Sequence, residues 1–273
     1  VIALLVERRL LTASSSAATA AACGGSAAPG SSTPLPTLDA PTAAPSPSPT
    51  TVPGIPFLVV GDAADCEETN DELVAAWLAD HEGTIALAGD VAYDKGTARQ
   101  FRECFEPAWG GLKPRIKPVP GNHDYLTAGA GPYYDYFGAA AGERGKGWYS
   151  YELGAWHIVA LNSNCAEIGG CGPGTPQYRW LEADLAANTA TCTFAYFHHP
   201  VFTSGIHGQD PGGMLPVWAL LYRRGVDVVA AGHDHHYERF APLGPTGGRD
   251  DAFGIRSFVV GTGGGALYPF FIN

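Results

Sequence analysis

Positive charge is scarce in this 273-residue chain: Lys and Arg total 16 against 27 Asp and Glu, for a formal net charge of −11. That balance argues against a nucleic-acid backbone as partner, because phosphate-backbone binding needs clustered cations. The six cysteines include no Cys-x-x-Cys pair, which disfavours a thiolate zinc cluster. No apolar stretch is long or clean enough for a membrane-spanning helix. No internal repeat is present, which argues against a solenoid or propeller. The Gly-rich "VGTGGGA" (260–266) lacks a following Lys-Ser/Thr, so it reads as a tight turn rather than a nucleotide-phosphate loop.

What is present divides the chain in three. Residues 1–23 have the pattern of an export leader, with Arg8 and Arg9 ahead of the weakly apolar "LLTASSSAATAAAC". Cys23 follows three Ala and precedes Gly-Gly, a pattern similar to a bacterial lipoprotein cleavage site. Ala20 stands where such sites carry Leu, and the alternative is ordinary secretion after a small residue. The expectation is an extracellular or cell-surface protein, with a lipid on Cys23 as its one membrane attachment. Residues 24–53 are nearly all Ala, Gly, Ser, Thr and Pro and read as a disordered, Pro-stiffened tether. Residues 54–273 are long enough for one large α/β domain with a sizeable core. Glu7, Arg8, Arg9 and Asp39 cancel, so this domain carries the whole negative charge. In an exported protein the cysteines can pair. Cys165 and Cys171 flank a short loop, and Cys66 with Cys104 is a second candidate pair. Cys192 is then a buried strand thiol, although spacing alone does not fix connectivity.

Apolar runs of strand length recur through the domain: "IPFLVVG", "GTIALAG", "RIKPVPG", "WYSYELG", "AWHIVALN", "CTFAYF", "VDVVAAG" and "RSFVVGTGG". Many are continuous rather than alternating, as expected when both faces of a sheet are covered. Helical patterns cover 70–81, with Asn70 as cap, 175–188, with Thr175 as cap and Pro176 at the first helical position, and 213–225, ending at Gly225. A hairpin is expected at Gly154. The order of elements predicts a mixed sheet with helices outside it.

Five polar motifs end apolar runs: "VVGDAAD" (Asp62), "LAGDVAYD" (Asp90, Tyr93), "VPGNHDY" (Asn122, His123), "AYFHHP" (His198) and "AAGHDHHYER" (His233, His235). Carboxylate, phenol, amide and imidazole are all metal-ligand types. In open α/β sheets, ligands collect at the carboxyl ends of strands. The glycine before Asp62, Asp90, Asn122 and His233 allows a sharp turn that aims each side chain over the sheet edge. Bound cations would also reconcile an acidic surface with an anionic substrate.

In this order, GD…GDxxY…GNH…H…GHxH resembles the calcineurin-like metallophosphoesterases. Tyr93, three residues after Asp90, resembles the purple acid phosphatase variant, here in a bacterial secreted form. The resemblance spans about Phe57 to Gly265. It implies a four-layer α/β/β/α sandwich with two mixed sheets, and, as relatives continue through further strands, a C-terminal truncation. It implies that Asp90 bridges two metals. Asp62, Tyr93 and His235 would complete an Fe(III) site, and Asn122, His198 and His233 a divalent site holding Fe, Zn or Mn. It implies that His123 contacts the substrate phosphate, that Asp124 orients His123, and that His207 binds phosphate or protonates the leaving alcohol. His199 and His236 would lie just behind the ligands, with Tyr237, Glu238 and Arg239 supporting them. The implied activity is that of a phosphoric monoester hydrolase acting on small phosphate esters, with in-line attack by hydroxide generated at the metals. A phosphodiesterase or nucleotidase, or a non-catalytic surface phosphate-binding protein, are the alternatives.

Overall fold

The computed structural model describes residues 2–6, 54–67, 69–210 and 212–269. Most of the expected leader, Cys23 and the tether lie outside the described residues. The leader's residues 2–6 form β1 (Ile2–Val6), antiparallel to β2 (Ile55–Val60). β3 (Thr84–Ala88) and β4 (Ile116–Val119) follow in parallel, giving a first sheet of order β1-β2-β3-β4.

The second sheet contains β5 (Tyr149–Leu153), β6 (Trp156–Ala160), β7 (Cys192–Phe197), β8 (Val228–Ala231), β9 (Tyr237–Leu243) and β10 (Ile255–Val260). Its order is β5-β6-β7-β8-β10-β9. β6, β7, β8 and β10 run parallel, while β5 and β9 are antiparallel edges. The hairpin expected at Gly154 joins β5 to β6, with Gly154 at φ 62°.

The continuous apolar runs are explained by three buried layers. Phe57, Val59, Ala86 and Val119 of the first sheet meet Ile158, Phe194, Tyr196, Val228 and Phe258 of the second. Their alternate neighbours Leu58, Val60, Ile85 and Leu87 pack outward against α1 (Asn70–Ala79) and the aromatic helical segments after it. On the far side, Val159, Ala195, Phe197 and Val229 pack against α6 (Pro176–Ala187) and α7 (Leu215–Arg223). The result is the expected four-layer α/β/β/α sandwich.

The helix starts differ from expectation. Thr69, not Asn70, holds the N-cap position of α1, without a side-chain cap. Thr175 occupies the N-cap position of α6, but its hydroxyl donates back to the Gly172 carbonyl at 2.7 Å instead of capping. Between residues 98 and 141 the apolar pattern marks no helix bounds, and the chain is largely helical there. α2 (Ala98–Gln100), a π-helical turn (Phe101–Phe105) and α3 (Glu106–Trp109) run on without a break. α4 (Asn122–Tyr125) and α5 (Gly131–Phe137) follow β4. A readable start signal exists: Thr97 and Gln100 form a reciprocal capping box. The helical period is then obscured by aromatics on several faces, because Phe101, Phe105, Trp109 and Phe137 are all buried.

Disulfides join Cys66 to Cys104 and Cys165 to Cys171. Cys192 is buried at the start of β7, but it is not the free thiol expected. No helix among the described residues is long and apolar enough to cross a membrane.

Candidate metal centre

Asp62 follows β2, Asp90 follows β3, Asn122 follows β4, His198 follows β7 and His233 follows β8. β2, β3 and β4 run parallel to one another, as do β7 and β8, so both sheets deliver their carboxyl ends to one edge. Asp62, Asp90 and His198 are fully buried there.

Around Asp90 the groups interlock. The Tyr93 hydroxyl lies 2.9 Å from Asp62 Oδ1, 3.1 Å from Asp90 Oδ2 and 2.9 Å from His235 Nε2. Asp90 Oδ2 is also 3.2 Å from His198 Nε2. His198 Nε2 in turn lies 3.0 Å from Asn122 Oδ1 and 3.2 Å from His233 Nδ1. The seven expected ligands therefore gather in one pocket. Asp90 stands between an oxygen-rich half (Asp62, Tyr93, His235) and a half made of Asn122, His198 and His233. Two subsets, Asp62/Asp90/His198 and His198/His199/His233, present their ligand atoms within 4.8 Å of one another.

Backbone carbonyls fix which ring nitrogen each histidine turns to the pocket. His198 Nδ1 donates to the Ala88 carbonyl at 2.9 Å, and His235 Nδ1 to the Ala266 carbonyl at 2.7 Å. Both rings therefore turn Nε2 towards the site. Burial opposes charge throughout, but His198 and His123 outweigh it at Asp90 and hold that carboxyl below its usual range. Burial likewise opposes protonation of His198, yet Asp90 beside it pushes the imidazole up to about 9. Burial, with His198 and His199 nearby, keeps His233 neutral. Burial and then His198 hold His199 down, at about 3. Burial, then Asp62 and Asp90, keeps the Tyr93 phenol protonated in the absence of a cation.

The glycines work mainly by close approach. A Cβ on Gly121 would stand 2.0 Å from Asp90 Oδ1, and one on Gly232 would stand 2.6 Å from Asp62 Oδ2. The sharp turn falls on the ligands themselves: Asp62 (φ 61°), Asp90 (φ 50°) and His233 (φ 71°) are all left-handed. The "VGTGGGA" turn lies at the site as expected, with Gly263 N donating to Gly61 O and Gly265 N to Asp62 O.

Among the other expected residues, His123 donates its backbone N–H to Asp90 Oδ1 at 2.9 Å, and its ring lies 4.7 Å from the Tyr93 ring. Asp124 does not orient it. Its buried carboxylate accepts from Gly121 N at 2.9 Å and from Val91 N at 3.4 Å, tying the two loops together. The His123 ring is held instead by the Asp94 carbonyl, 2.6 Å from Nδ1. A side chain one residue on in a helical turn leaves at about 100° to its neighbour, so adjacent side chains do not face each other. His207 does reach the site: its ring lies 4.0 Å from that of His233, and Nδ1 is 2.8 Å from Asp234 Oδ1. His199 is held by Ser163 Oγ at 2.9 Å. His236 and Glu238 approach at 3.3 Å, and Glu238 also anchors Ser204. Tyr237 opens β9 and is half exposed, so it gives the site no cover.

Sequence reasoning missed Asp234 and Tyr268. Asp234 is fully buried and accepts from Thr203 Oγ1 at 2.6 Å as well as from His207. The Tyr268 ring stacks on His235 at 4.1 Å with an interplanar angle of 5°. The Asp between two ligand histidines was a usable signal for Asp234; nothing local marks Tyr268.

A two-sheet sandwich with such a cluster at its strand ends defines a class, and the comparisons agree with it. The chain belongs to the calcineurin-like phosphoesterase family, whose model matches residues 55–237. Among its relatives is a purple acid phosphatase of Glycine max, 29% identical over 213 residues, covering 68% of this chain and 44% of that protein. Another is the Fe(3+)-Zn(2+) purple acid phosphatase 12 of Arabidopsis thaliana, 35% identical over 107 residues, 37% of this chain and 22% of that one. The solved structure of purple acid phosphatase PPD1 from yellow lupin (Lupinus luteus) seeds shares the fold, with a TM-score of 0.69 at 21% identity. That match covers 80% of this chain and 46% of the lupin chain. The chain thus spans less than half the length of these relatives.

Proposed function

We propose that residues 54–273 form the catalytic domain of a dinuclear-metal phosphomonoesterase of the acid phosphatase type. The observation that carries the reading is the convergence of Asp62, Asp90, Tyr93, Asn122, His198, His233 and His235 around one buried carboxylate. The donor set fits two cations. Carboxylate and phenolate oxygens suit a trivalent ion such as Fe(III), and the imidazole-rich half suits divalent Fe, Zn or Mn. Such a pair supplies Lewis acidity and a nucleophile drawn from water at neutral or mildly acidic pH.

The chain's own groups complete the chemistry. His123, its Nδ1 occupied by the Asp94 carbonyl, keeps Nε2 for a phosphoryl oxygen. His207, its Nδ1 occupied by Asp234, keeps Nε2 for the leaving oxygen and a proton to give it. Asp124 acts on the loops and not on the substrate. The two disulfides support the companion proposal of an exported protein, since such bonds persist in oxidising compartments. Cell fractionation, with a Cys23→Ser comparison for lipid attachment, tests that part.

The direct test compares chelated with metal-reloaded protein on mono-aryl and bis-aryl phosphates. Activity restored by metal on the monoester is the expected result. Equal rates with and without metal would overturn the reading, and faster turnover of the diester would make it a phosphodiesterase. With Fe(III) bound, visible charge-transfer absorption should be present and should vanish in Tyr93→Phe.

A further inference from the structure

Beside the metal centre lies a groove of about 280 Å3, close to the lower end of the range for small-molecule sites. Asn122 and His199 belong to both the groove and the centre, so the groove starts where a bound phosphoryl group would sit. Tyr125 and Leu126 line the groove, and Leu126 is 60% exposed. An isolated exposed leucine is ordinary; one at the mouth of a groove leading to a polar cluster offers apolar contact to whatever enters. No Lys or Arg is among the described lining residues, and Glu167 supplies the one carboxylate.

The backbone that carries that exposed carboxylate is held in place. Glu167 lies within the turn closed by Cys165–Cys171, and its N–H donates to Asn164 O at 2.9 Å. Asn164 Nδ2 donates to Pro120 O at 3.0 Å, just ahead of Asn122. The turn is therefore tied to the loop that carries a candidate metal ligand. A carboxylate carried on a fixed turn borders the groove, and its field there is strongest at low salt.

We propose that this groove holds the alcohol part of the phosphomonoester and that Glu167 selects uncharged leaving groups against anionic ones such as pyrophosphate and nucleoside triphosphates. The proposal rests on the phosphomonoesterase reading. A leaving group with several negative charges would meet no Lys or Arg among the described residues lining the groove, and would face Glu167. An aryl or small uncharged alcohol would meet Tyr125 and Leu126.

The test measures kcat/KM for an aryl phosphate, pyrophosphate and ATP in the metal-loaded full chain, at low ionic strength. The wild type should prefer the aryl phosphate. The ratio of kcat/KM for ATP to that for the aryl phosphate should rise about threefold in Glu167→Gln and about tenfold in Glu167→Lys, and shrink with added salt. Inhibition or binding constants for phenylphosphonate and methylenebisphosphonate give the same comparison without turnover. Leu126→Asp should weaken phenylphosphonate selectively. Equal preference in the wild type, or Glu167 variants that shift all substrates alike, would overturn the proposal. Absence of any hydrolysis with the binding preference intact would instead count against the phosphomonoesterase reading.

Discussion

Asp62, Asp90 and His233 hold left-handed backbone conformations that L-residues rarely adopt. Each costs on the order of 1–3 kcal/mol and persists only where the surroundings over-determine it. Here the determinants are visible: Asp62 Oδ2 accepts from His233 N at 2.8 Å, Asp90 Oδ1 accepts from His123 N, and Gly121 leaves room for Asp90. Gly121→Ala places a methyl group where Asp90 Oδ1 now sits. The expected outcome is a loss of activity of about 100-fold, because a displacement near 1 Å at a reacting centre costs that much. Metal analysis of the same variant should show reduced occupancy, while circular dichroism stays near wild type. A variant with full activity and full metal content would mean that Asp90 is not the shared group.

Among the elements, the edge hairpin β5–β6 has its own fastening, made by none of the candidate metal ligands. His157 is nearly buried between two carboxylates: Nδ1 is 2.6 Å from Glu152 Oε1 and Nε2 is 2.7 Å from Asp184 Oδ2 on α6. Ser150 Oγ donates to the other Asp184 oxygen at 2.7 Å. Burial opposes the charged imidazole, but Asp184 and Glu152 outweigh it, and the folded pKa is raised above 6.5. The stabilisation is therefore complete below the unfolded value and is lost as pH rises through the higher folded one. His157→Gln should destabilise the protein more at pH 5 than at pH 9, by about 1–2 kcal/mol at the lower pH, as measured by urea unfolding. A pH-independent difference would mean that the imidazole is neutral in the fold.

On the scale of the whole molecule, three apolar layers hold two sheets whose strand ends meet at one polar edge. Those ends bring Asp62 and Asp90 together with His198, and His198 together with His233, as donor groups that a cation could share. Metal binding should therefore stabilise the fold. At a free metal concentration of about 100 times Kd the gain is about 2.7 kcal/mol, seen as a higher Tm than in chelated protein. Asp90→Asn should abolish most of that metal-dependent increment. An unchanged Tm on chelation, with metal removal verified, would count against a resident pair.

Much of this design is written locally. The continuous runs of β2, β3, β7 and β8 state that both faces are covered, and the polar residue after each strand states where a site would form. Residue type alone ranks Asp, Tyr, Asn and His as ligands, because donor chemistry is a property of the side chain. Contacts between distant segments are written nowhere in the local pattern. The sequence alone does not say that Asp94 rather than Asp124 holds His123, that Asp234 reaches His207, or that Tyr268 stacks on His235. Nor does it show that the turn at Glu167 borders the metal centre. Those pairings follow from two sheets packing face to face, which brings the ends of β4 and β7 within a few ångströms although 76 residues separate Asn122 from His198.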